Sequence, residues 1–357
     1  MSNAAKKHVV WGLIFFCFGV TAILYLIQQF PRKLYAAPTL AQLAAHWSPF
    51  IYQGTKNNYD LITNFNFDGN WNGRDNWENA GWGGYYENFH AYVYYAMIES
   101  ANHYFITFML FHPRDLGNDC GTGFYAASHE NDSEGVRVVI EKDGTNWGRM
   151  GWIEATRHDT YCFSYFPTLI NGSHPAVYVC EKKHAIYCTN KAEWWDCCYL
   201  HDPYGSCRIF PSNEGTGVAY WYAGRGAEVP SSLNDRDVSY ELISMESTLW
   251  PKRFDSLTYR TCWAFVSGGY NWDEELQLCG HALSEFGAKF NGDNYSLFGS
   301  KCAASAPWAY AFEAAGWGKW FIDPLFFYGA WHCDGSGEQY IYNPYFGWIK
   351  NCPLNCN

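Results

Sequence analysis

A series of short, strongly apolar runs separated by turn-forming residues most constrains the fold of this chain. The run 104–111, YFITFMLF, is apolar at both alternating sets of positions, as a central strand buried on both faces should be. Lys142-Asp143-Gly144 predicts a hairpin. Because no long amphipathic helix competes, we expect an all-β fold, an antiparallel two-sheet β-sandwich with long disulfide-rich loops. The predicted strands are residues 90–98, 104–111, 135–141, 148–156, 174–181, 217–223 and 238–243.

Composition limits the class of protein and its partners. Aromatic residues make up 20% of the 357 residues and charged residues 17%, so the chain can bury a large core and is not disordered in general. The length allows one large decorated domain or two. A net charge of −11 argues against nucleic acid and against simple adsorption to anionic lipid.

The cysteines indicate an oxidising compartment. Cys17 lies in an apolar N-terminal segment, and the other thirteen do not form a paired zinc framework. Several disulfides are therefore expected, with 188–207 as a disulfide-stapled insertion and Cys352 and Cys356 holding down a Cys-rich C-terminal extension. Thirteen is odd, so at least one thiol is free or forms an intermolecular disulfide.

Residues 9–27 are a nearly unbroken apolar run flanked by Lys6, Lys7, Arg32 and Lys33. A helix of this length rises about 28 Å, close to the hydrocarbon thickness of a bilayer. We expect an uncleaved single-span anchor rather than a cleaved signal peptide, which would leave the protein secreted. The membrane orientation, with an extracellular or lumenal C-terminal domain, is inferred from the cysteines.

The predicted organisation has four parts. Residues 1–8 form a cytosolic tail, 9–30 a transmembrane signal-anchor, and 31–60 a juxtamembrane linker that contains the helix-compatible patch LAQLAAHW. Residues 61–357 form the extracytoplasmic β-sandwich domain with its insertion and extension.

Four potential ligands for a hard cation lie between two strand-like runs: Asp115, His129, Asp132 and Glu134. Residues two apart in a strand point the same way, so Asp132 and Glu134 should share a face, with His129 brought over them by a turn. Carboxylates with one imidazole suit Mg²⁺, Ca²⁺ or Mn²⁺ better than structural zinc. The alternative is that these are ordinary polar residues of a surface loop.

Two other patterns bear on ligands. Asp68, Asn70 and Asn72 imitate the start of a calcium loop, but Asn79 stands where the twelfth-position Glu should be, and a Gly/Asn-rich turn is the preferred interpretation. N-x-Ser sequons begin at Asn131, Asn171 and Asn294. A glycan on Asn131 would obstruct the predicted metal site.

The region around these four residues resembles the centre of the secreted necrosis-inducing (NLP) proteins. It has the order F-H-P-R-D, a Gly-containing loop, and then H-x-x-D-x-E, which leads into V-R-V-V-I. In that family the corresponding Asp, His, Asp and Glu bind a divalent cation, which implies the same role for Asp115, His129, Asp132 and Glu134. The resemblance covers about residues 90 to 190. It departs at Asn131 and Ser133, which replace a His and a Trp of the family pattern.

The same resemblance singles out His158, after the strand-like run 148–156, and His184, after V-Y-V-C-E-K-K. With His112, these are the histidines expected beside the metal, as hydrogen-bond donors to its ligands, as water-mediated ligands or as a general base. A set of uncharacterised proteins with an H-E-N-D-x-E-G core looks closer still, sharing the elements at 240–243 and 306–308.

Three functions follow from these observations. The first is a recognition module whose cation coordinates hydroxyls of a glycan or lipid head group, as the resemblance implies. The second is a metal-dependent hydrolase in which His158 or His184 accepts a proton from metal-bound water. The third is a calcium-stiffened, disulfide-rich structural surface protein. The sequence favours the first and does not decide whether the protein is an enzyme.

Overall fold

The computed structural model describes residues 37–81, 89–116, 128–157, 160–189, 217–260, 289–292, 306, 321–322, 324–327 and 338–345. The chain divides into two units, Met1–Pro38 and Thr39–Asn357, and every element named below belongs to the second. No helix within these ranges is long and apolar enough to cross a membrane. The predicted anchor at 9–30 lies outside the described residues.

Short helices and fifteen strands follow one another along the described parts of the chain. In order they are α1 (Leu40–His46), β1 (Phe50–Gln53), a 3-10 helix (Asn58–Asp60), α2 (Asn76–Asn79), β2 (Tyr92–Ser100), β3 (His103–Asp115), β4 (His129–Glu141), β5 (Arg149–Arg157), β6 (Thr160–Ser164), β7 (Leu169–Ile170), β8 (His174–Val179), β9 (Ile186–Tyr187), β10 (Val218–Trp221), β11 (Val238–Ser239), β12 (Glu241–Ser244), a second 3-10 helix (Trp250–Lys252), β13 (Tyr259–Arg260), β14 (Lys289–Phe290), α3 (Pro324–Phe327) and β15 (Tyr340–Tyr342).

The described strands form two large sheets and one small one. The first large sheet has the order β11-β10-β1-β8-β7, with β9 also paired to β8, and the second has the order β12-β2-β3-β4-β5-β6, with β15 also paired to β2. Strands β13 and β14 form a separate ribbon. The larger of two apolar clusters in the described residues contains residues of both large sheets, among them Ile51 and Val177 from the first and Phe108 and Val138 from the second. This confirms a two-sheet, mostly β fold.

The prediction that the sheets are antiparallel throughout was wrong. Strands β2 to β6 form an antiparallel meander, but β1 pairs with β8, β10 with β11, and β12 with β2 in parallel. Parallel pairs need long connections between their strands. Here β1 and β2 come early in the chain and receive partners from much later in the sequence.

All seven predicted strands are present, and one of them contributes to both sheets. The run 238–243 divides at Tyr240 into β11 of the first sheet and β12 of the second. The buried Tyr240 hydroxyl donates a hydrogen bond to the Pro49 carbonyl at 2.6 Å, which fixes the crossing point. The predicted hairpin joins β4 to β5, and Gly144 has a φ of 85°, which glycine adopts without steric cost.

Residues 40–60, assigned above to a linker, are part of the folded unit. The patch LAQLAAH forms α1, capped by the Thr39 side chain, and buries Leu43 and Ala44. Strand β1 then lies between β8 and β10 in the first sheet. The tertiary contacts of these residues are long-range, so local composition did not reveal them.

One disulfide, between Cys162 of β6 and Cys188 directly after β9, joins an edge strand of each large sheet, with the two Cα atoms 5.9 Å apart. Cys180 is disulfide-bonded as well. The rest of the predicted Cys-rich insertion and the C-terminal Cys352 and Cys356 lie outside the described residues, so the wider disulfide framework stays a prediction.

Candidate metal centre

Three of the four predicted ligands come together where β3 ends and β4 begins. Asp115 and His129 are partners across the two strands, and Asp115, His129 and Asp132 each offer a ligand atom within 4.8 Å of the others. In a regular strand His129 and Asp132 would face opposite sides of the sheet. Asn131 lies between them with a φ of 54°, and this left-handed residue interrupts the alternation.

The His129 ring is oriented with its Nε2 atom toward Asp115. Its Nδ1 lies 2.9 Å from the Glu130 carbonyl oxygen, which can only accept, so Nδ1 carries the proton. In the neutral ring Nε2 is then an acceptor, and it faces the Asp115 Oδ2 atom, another acceptor, at 3.5 Å. A cation between the two atoms, either a second ring proton or a metal ion, would remove this conflict.

The second oxygen of Asp115 supports the same interpretation. Asp115 Oδ1 is buried and makes no hydrogen bond within the described structure. Leaving a buried carboxylate oxygen without a partner is costly. The His129 side chain is 18% exposed, which gives the group access to solvent. Two carboxylates, one of which has an oxygen without a partner, and one imidazole are a donor set that fits a hard divalent cation.

On its other side, Asp132 is held by a buried imidazole. His184 Nδ1 donates to Asp132 Oδ2 at 2.7 Å, and His184 Nε2 forms an ion pair with Asp60 Oδ1 at 3.3 Å. Burial alone would lower the pKa of His184, but the two carboxylates outweigh it and raise this pKa to about 10. Burial would likewise raise the pKa of Asp132, yet the hydrogen bond from His184 holds that pKa well below its usual value. His184 is therefore an imidazolium that lies between the carboxylates of Asp132 and Asp60.

Asp60 is the buried carboxylate that completes this network, and sequence reasoning missed it. Its side chain accepts backbone N–H groups from Lys182 at 2.5 Å, Lys56 at 2.6 Å and Asn57 at 3.0 Å. The turn that presents His184 is tight, since Lys182 and His184 have φ values of 67° and 55°. The only local signal was an Asp three residues after an Asn at the start of a 3-10 helix.

His112 lies against His184 with a defined tautomer. The Gln53 amide nitrogen donates to the Gly54 and Cys180 carbonyls at 2.9 and 3.2 Å, so its oxygen faces His112 Nε2 at 3.2 Å and that nitrogen must donate. His112 Nδ1 is left as a buried acceptor with no hydrogen bond in the described structure. The two imidazole rings stack 3.7 Å apart. Burial, and secondarily the His184 charge, lower the pKa of His112 well below its ordinary value.

His112, Asp132 and His184 form a second group whose ligand atoms lie within 4.8 Å of one another, so Asp132 is shared by both groups. Because His184 is an imidazolium with both nitrogens facing carboxylates, it has no lone pair for a metal. The group around Asp115 and His129 is thus the better candidate metal site. His112 and His184 lie next to it, and their roles beside a metal stay a prediction.

The remaining predicted site residues do not join these groups. The Glu134 carboxylate accepts a hydrogen bond from Thr156 of β5, and Glu134 is in neither group, so its role as a ligand stays a prediction. His158 lies outside the described residues.

The calcium-like sequence at Asp68, Asn70 and Asn72 forms a chain of side-chain turns. Asp68 Oδ1 accepts the Asn70 amide at 3.0 Å, Asn70 Oδ1 accepts the Asn72 amide at 2.6 Å, and Asn72 Oδ1 accepts the Arg74 amide at 3.3 Å. These oxygens stabilise the loop itself, which supports the interpretation as a Gly/Asn-rich turn.

Asn131, the first residue of a sequon, is fully buried. Its amide nitrogen donates to the Gly73 and Asn291 carbonyls at 2.7 and 2.6 Å, and its oxygen accepts from Asn76 at 2.6 Å. A glycan on this nitrogen cannot fit in the folded protein. Asn171, by contrast, is exposed in the turn between β7 and β8.

No protein-family model matches the chain, and no curated protein matches it. Among solved structures it is similar to "Toxin fold for microbial attack and plant defense" (18% identity, TM-score 0.31, covering 44% of this chain and 74% of the other), to "NLPPya in complex with glucosamine" (16%, 0.28, 45% and 72%) and to Necrosis and Ethylene inducing Protein 2 from the causal agent of cocoa's Witches Broom disease (18%, 0.29, 46% and 74%). The chain is therefore similar to structures of NLP proteins over less than half of its length.

Proposed function

We propose that this chain is a membrane-anchored extracytoplasmic protein that binds one divalent cation through Asp115, His129 and Asp132 and uses the cation to recognise a glycan or a lipid head group. The observation that carries the proposal is the pair of acceptors at 3.5 Å, His129 Nε2 and Asp115 Oδ2, beside the unpartnered Asp115 Oδ1. These atoms repel one another unless positive charge lies among them.

The proposed site has room for an external ligand in its coordination sphere. Mg²⁺ takes six ligands and Ca²⁺ six to eight, mostly oxygens, whereas Asp115, His129 and Asp132 supply three side chains. The remaining positions would hold water or the hydroxyl groups of a ligand. The partial exposure of His129 places this side of the group toward solvent, and the choice of a glycan or lipid head group follows the motif resemblance.

A hydrolase would use the same cation to activate water and would need a nearby general base. His184 is a poor candidate in the cation-free protein because its imidazolium is held by Asp132 and Asp60. The other predicted base, His158, lies outside the described residues. Recognition therefore requires fewer additional groups than hydrolysis.

The cation site is tested by calorimetric titration of Ca²⁺, Mg²⁺ and Mn²⁺ into chelator-treated protein. We expect one site, with affinity reduced at least tenfold by Asp115→Asn, which keeps the shape of the side chain and removes its charge. Asp143→Asn is the matched control, because it removes the same charge from the exposed β4–β5 hairpin. Unchanged binding in Asp115→Asn would refute the proposal.

The ligand class is tested on panels of glycans, glycolipids and phosphoesters with and without chelator. Retention that needs the cation and returns the ligand intact supports recognition. Product detected by mass spectrometry that disappears with chelator would instead establish the hydrolase.

A further inference from the structure

A group of exposed aromatic and apolar side chains covers the β5–β6 hairpin and the loop that follows it. Phe166 is 93% exposed and Tyr165 62%, and Phe163 and Leu169 are also exposed. Phe163 and Tyr165 meet edge to face with centroids 4.4 Å apart, and Trp152 lies 6.1 and 6.4 Å from their rings. We call these five residues the aromatic tip. Trp152, Phe163 and Tyr165 are neighbours in space, and Phe166 follows Tyr165 in sequence. Exposed apolar residues that are grouped rather than scattered singly mark an interaction site.

The aromatic tip lies toward the end of the second sheet that is remote from the candidate metal centre. Strand β4 runs from His129 at the metal end to Glu141, which pairs with Arg149 of β5. The β5–β6 register matches Ile153 with Ser164, so the chain beyond Ser164 continues toward the Arg149 end. Phe163 and Trp152 lie level with Arg137 and Val139 of β4, which at about 3.3 Å per residue are roughly 17 and 23 Å from Asp132.

The polypeptide enters the folded unit at this same end. Helix α1 begins directly after Thr39, and its last residue, His46, stacks on Trp147 with ring centroids 4.4 Å apart. Trp47 donates from its indole nitrogen to the Trp147 carbonyl at 2.9 Å. Trp147 is 39% exposed and belongs to the β4–β5 turn next to Arg149. Helix α1, close to the start of the described residues, therefore lies at the Arg149 end of the second sheet.

We propose that the aromatic tip inserts into the interfacial zone of the bilayer that holds the N-terminal apolar run. The proposal goes beyond cation recognition but relies on the expected anchor at 9–30. Residues 160–170, TYCFSYFPTLI, contain no charged side chain, so the surface suits a zwitterionic head-group region. Aromatic residues are enriched at that depth because one end of the ring can remain hydrated.

A lipid interface fits this surface better than a sugar does. Small ligands bind in concave pockets that cover most of their area, with a few convergent polar groups. Phe166, 93% exposed, has no surrounding walls and no polar atom in its ring. The acyl-chain boundary of a bilayer could cover it from all sides.

The test is site-specific photo-crosslinking of the full chain reconstituted in phosphatidylcholine nanodiscs. A p-benzoylphenylalanine placed at Phe166 should cross-link to lipid at least tenfold more than one placed at Leu257, which is 56% exposed. Leu257 is the matched control because it contacts the metal end: its carbonyl accepts the Gly73 amide, and the Gly73 carbonyl accepts from Asn131.

Three outcomes would overturn the proposal: equal lipid yields at the two positions, cross-links from Phe166 to a second protein instead of lipid, or a chain that fails to associate with the nanodiscs. Calorimetry with Mn²⁺ on the same nanodiscs keeps the two proposals separate. Phe166→Ser should reduce lipid contact of the tip and leave cation affinity unchanged.

Discussion

The two sides of the Asp132 carboxylate differ in how their charges are balanced. Toward the interior, Asp132 meets His184, which in turn meets Asp60, and this network combines two carboxylates with one imidazolium. Toward the end of β3, Asp115 Oδ2 faces His129 Nε2, and a second proton on that ring or a bound cation would supply positive charge between them. On the interior side the imidazolium lies between two carboxylates, whereas on the outer side Asp115 Oδ1 has no hydrogen bond within the described structure.

This difference separates stability from binding within one small region. The interior network should matter for folding whether or not a cation is present, and the outer group should matter only when one binds. Asp132 belongs to both. The buried network fixes the orientation of its carboxylate, and this carboxylate is also a ligand of the proposed metal. Variants on each side can therefore test whether the separation is real.

The largest effect is expected from Asp60→Asn. It removes one carboxylate from the buried His184 imidazolium, and breaking a buried ion pair typically costs about 3 to 5 kcal/mol. Chemical unfolding in chelator should show this loss in the free energy of unfolding, and added Ca²⁺ should not restore it. A loss below about 1 kcal/mol would mean that the interior network is not what holds Asp132.

Asp115→Asn should give the opposite pattern. In chelator its free energy of unfolding should equal or exceed that of the unmodified protein, because the variant relieves the repulsion with His129. Saturating cation at one hundred times its dissociation constant should stabilise the unmodified protein by about 2.7 kcal/mol and the variant by much less. Equal cation-dependent stabilisation of the two proteins would place the ion elsewhere.

The pH dependence of the cation-free protein tests the interior side alone. His184 has a pKa raised from 6.5 to about 10, so its stabilising contribution is complete below pH 6.5 and is lost as the pH rises toward 10. The slope should be on the order of 1 kcal/mol per pH unit in this window. The lowered pKa of Asp132 gives a contribution that is present above its ordinary value and is lost as acid is added. Titrating the His184→Gln variant in the same way should remove the alkaline slope.

The smallest effect is expected from Asp68→Ala, outside both sides of the network. The variant loses hydrogen bonds from the Asn70 amide and from Asn79, a cost of about 1 kcal/mol in unfolding free energy. Calorimetry should show cation affinity unchanged. A large drop in Ca²⁺ affinity would instead support the calcium-loop interpretation, and the two sides of Asp132 would then not account for cation binding.

The strands were predictable because each carries its own apolar pattern. For example, the predicted strand Tyr104 to Phe111 lies in the long strand β3. The local pattern could not reveal, however, that Tyr240 divides one predicted strand between the two sheets. The position of β1 between β8 and β10 could not be predicted either, because those two strands come from much later in the sequence.

The candidate metal ligands divide in the same way. Residue type, spacing and the motif resemblance singled out Asp115, His129, Asp132 and Glu134, and the structure groups the first three. The left-handed residue Asn131 that brings them together has no signature of its own. Asp60 could not be identified because its role depends on His184, which lies far from it in sequence. Long-range electrostatic partners appear only when the chain is folded.

The buried Asn131 amide links this architecture to the route by which the protein is made. In a eukaryotic secretory pathway the sequon can receive a sugar while the chain is still unfolded, before its nitrogen reaches Gly73 and Asn291. A glycosylated chain could not form the hydrogen bonds from Asn131 to Gly73 and Asn291 at the start of β4. The yield of native protein would then depend on a race between folding and the glycosylating enzyme, and a host without that enzyme would avoid the loss.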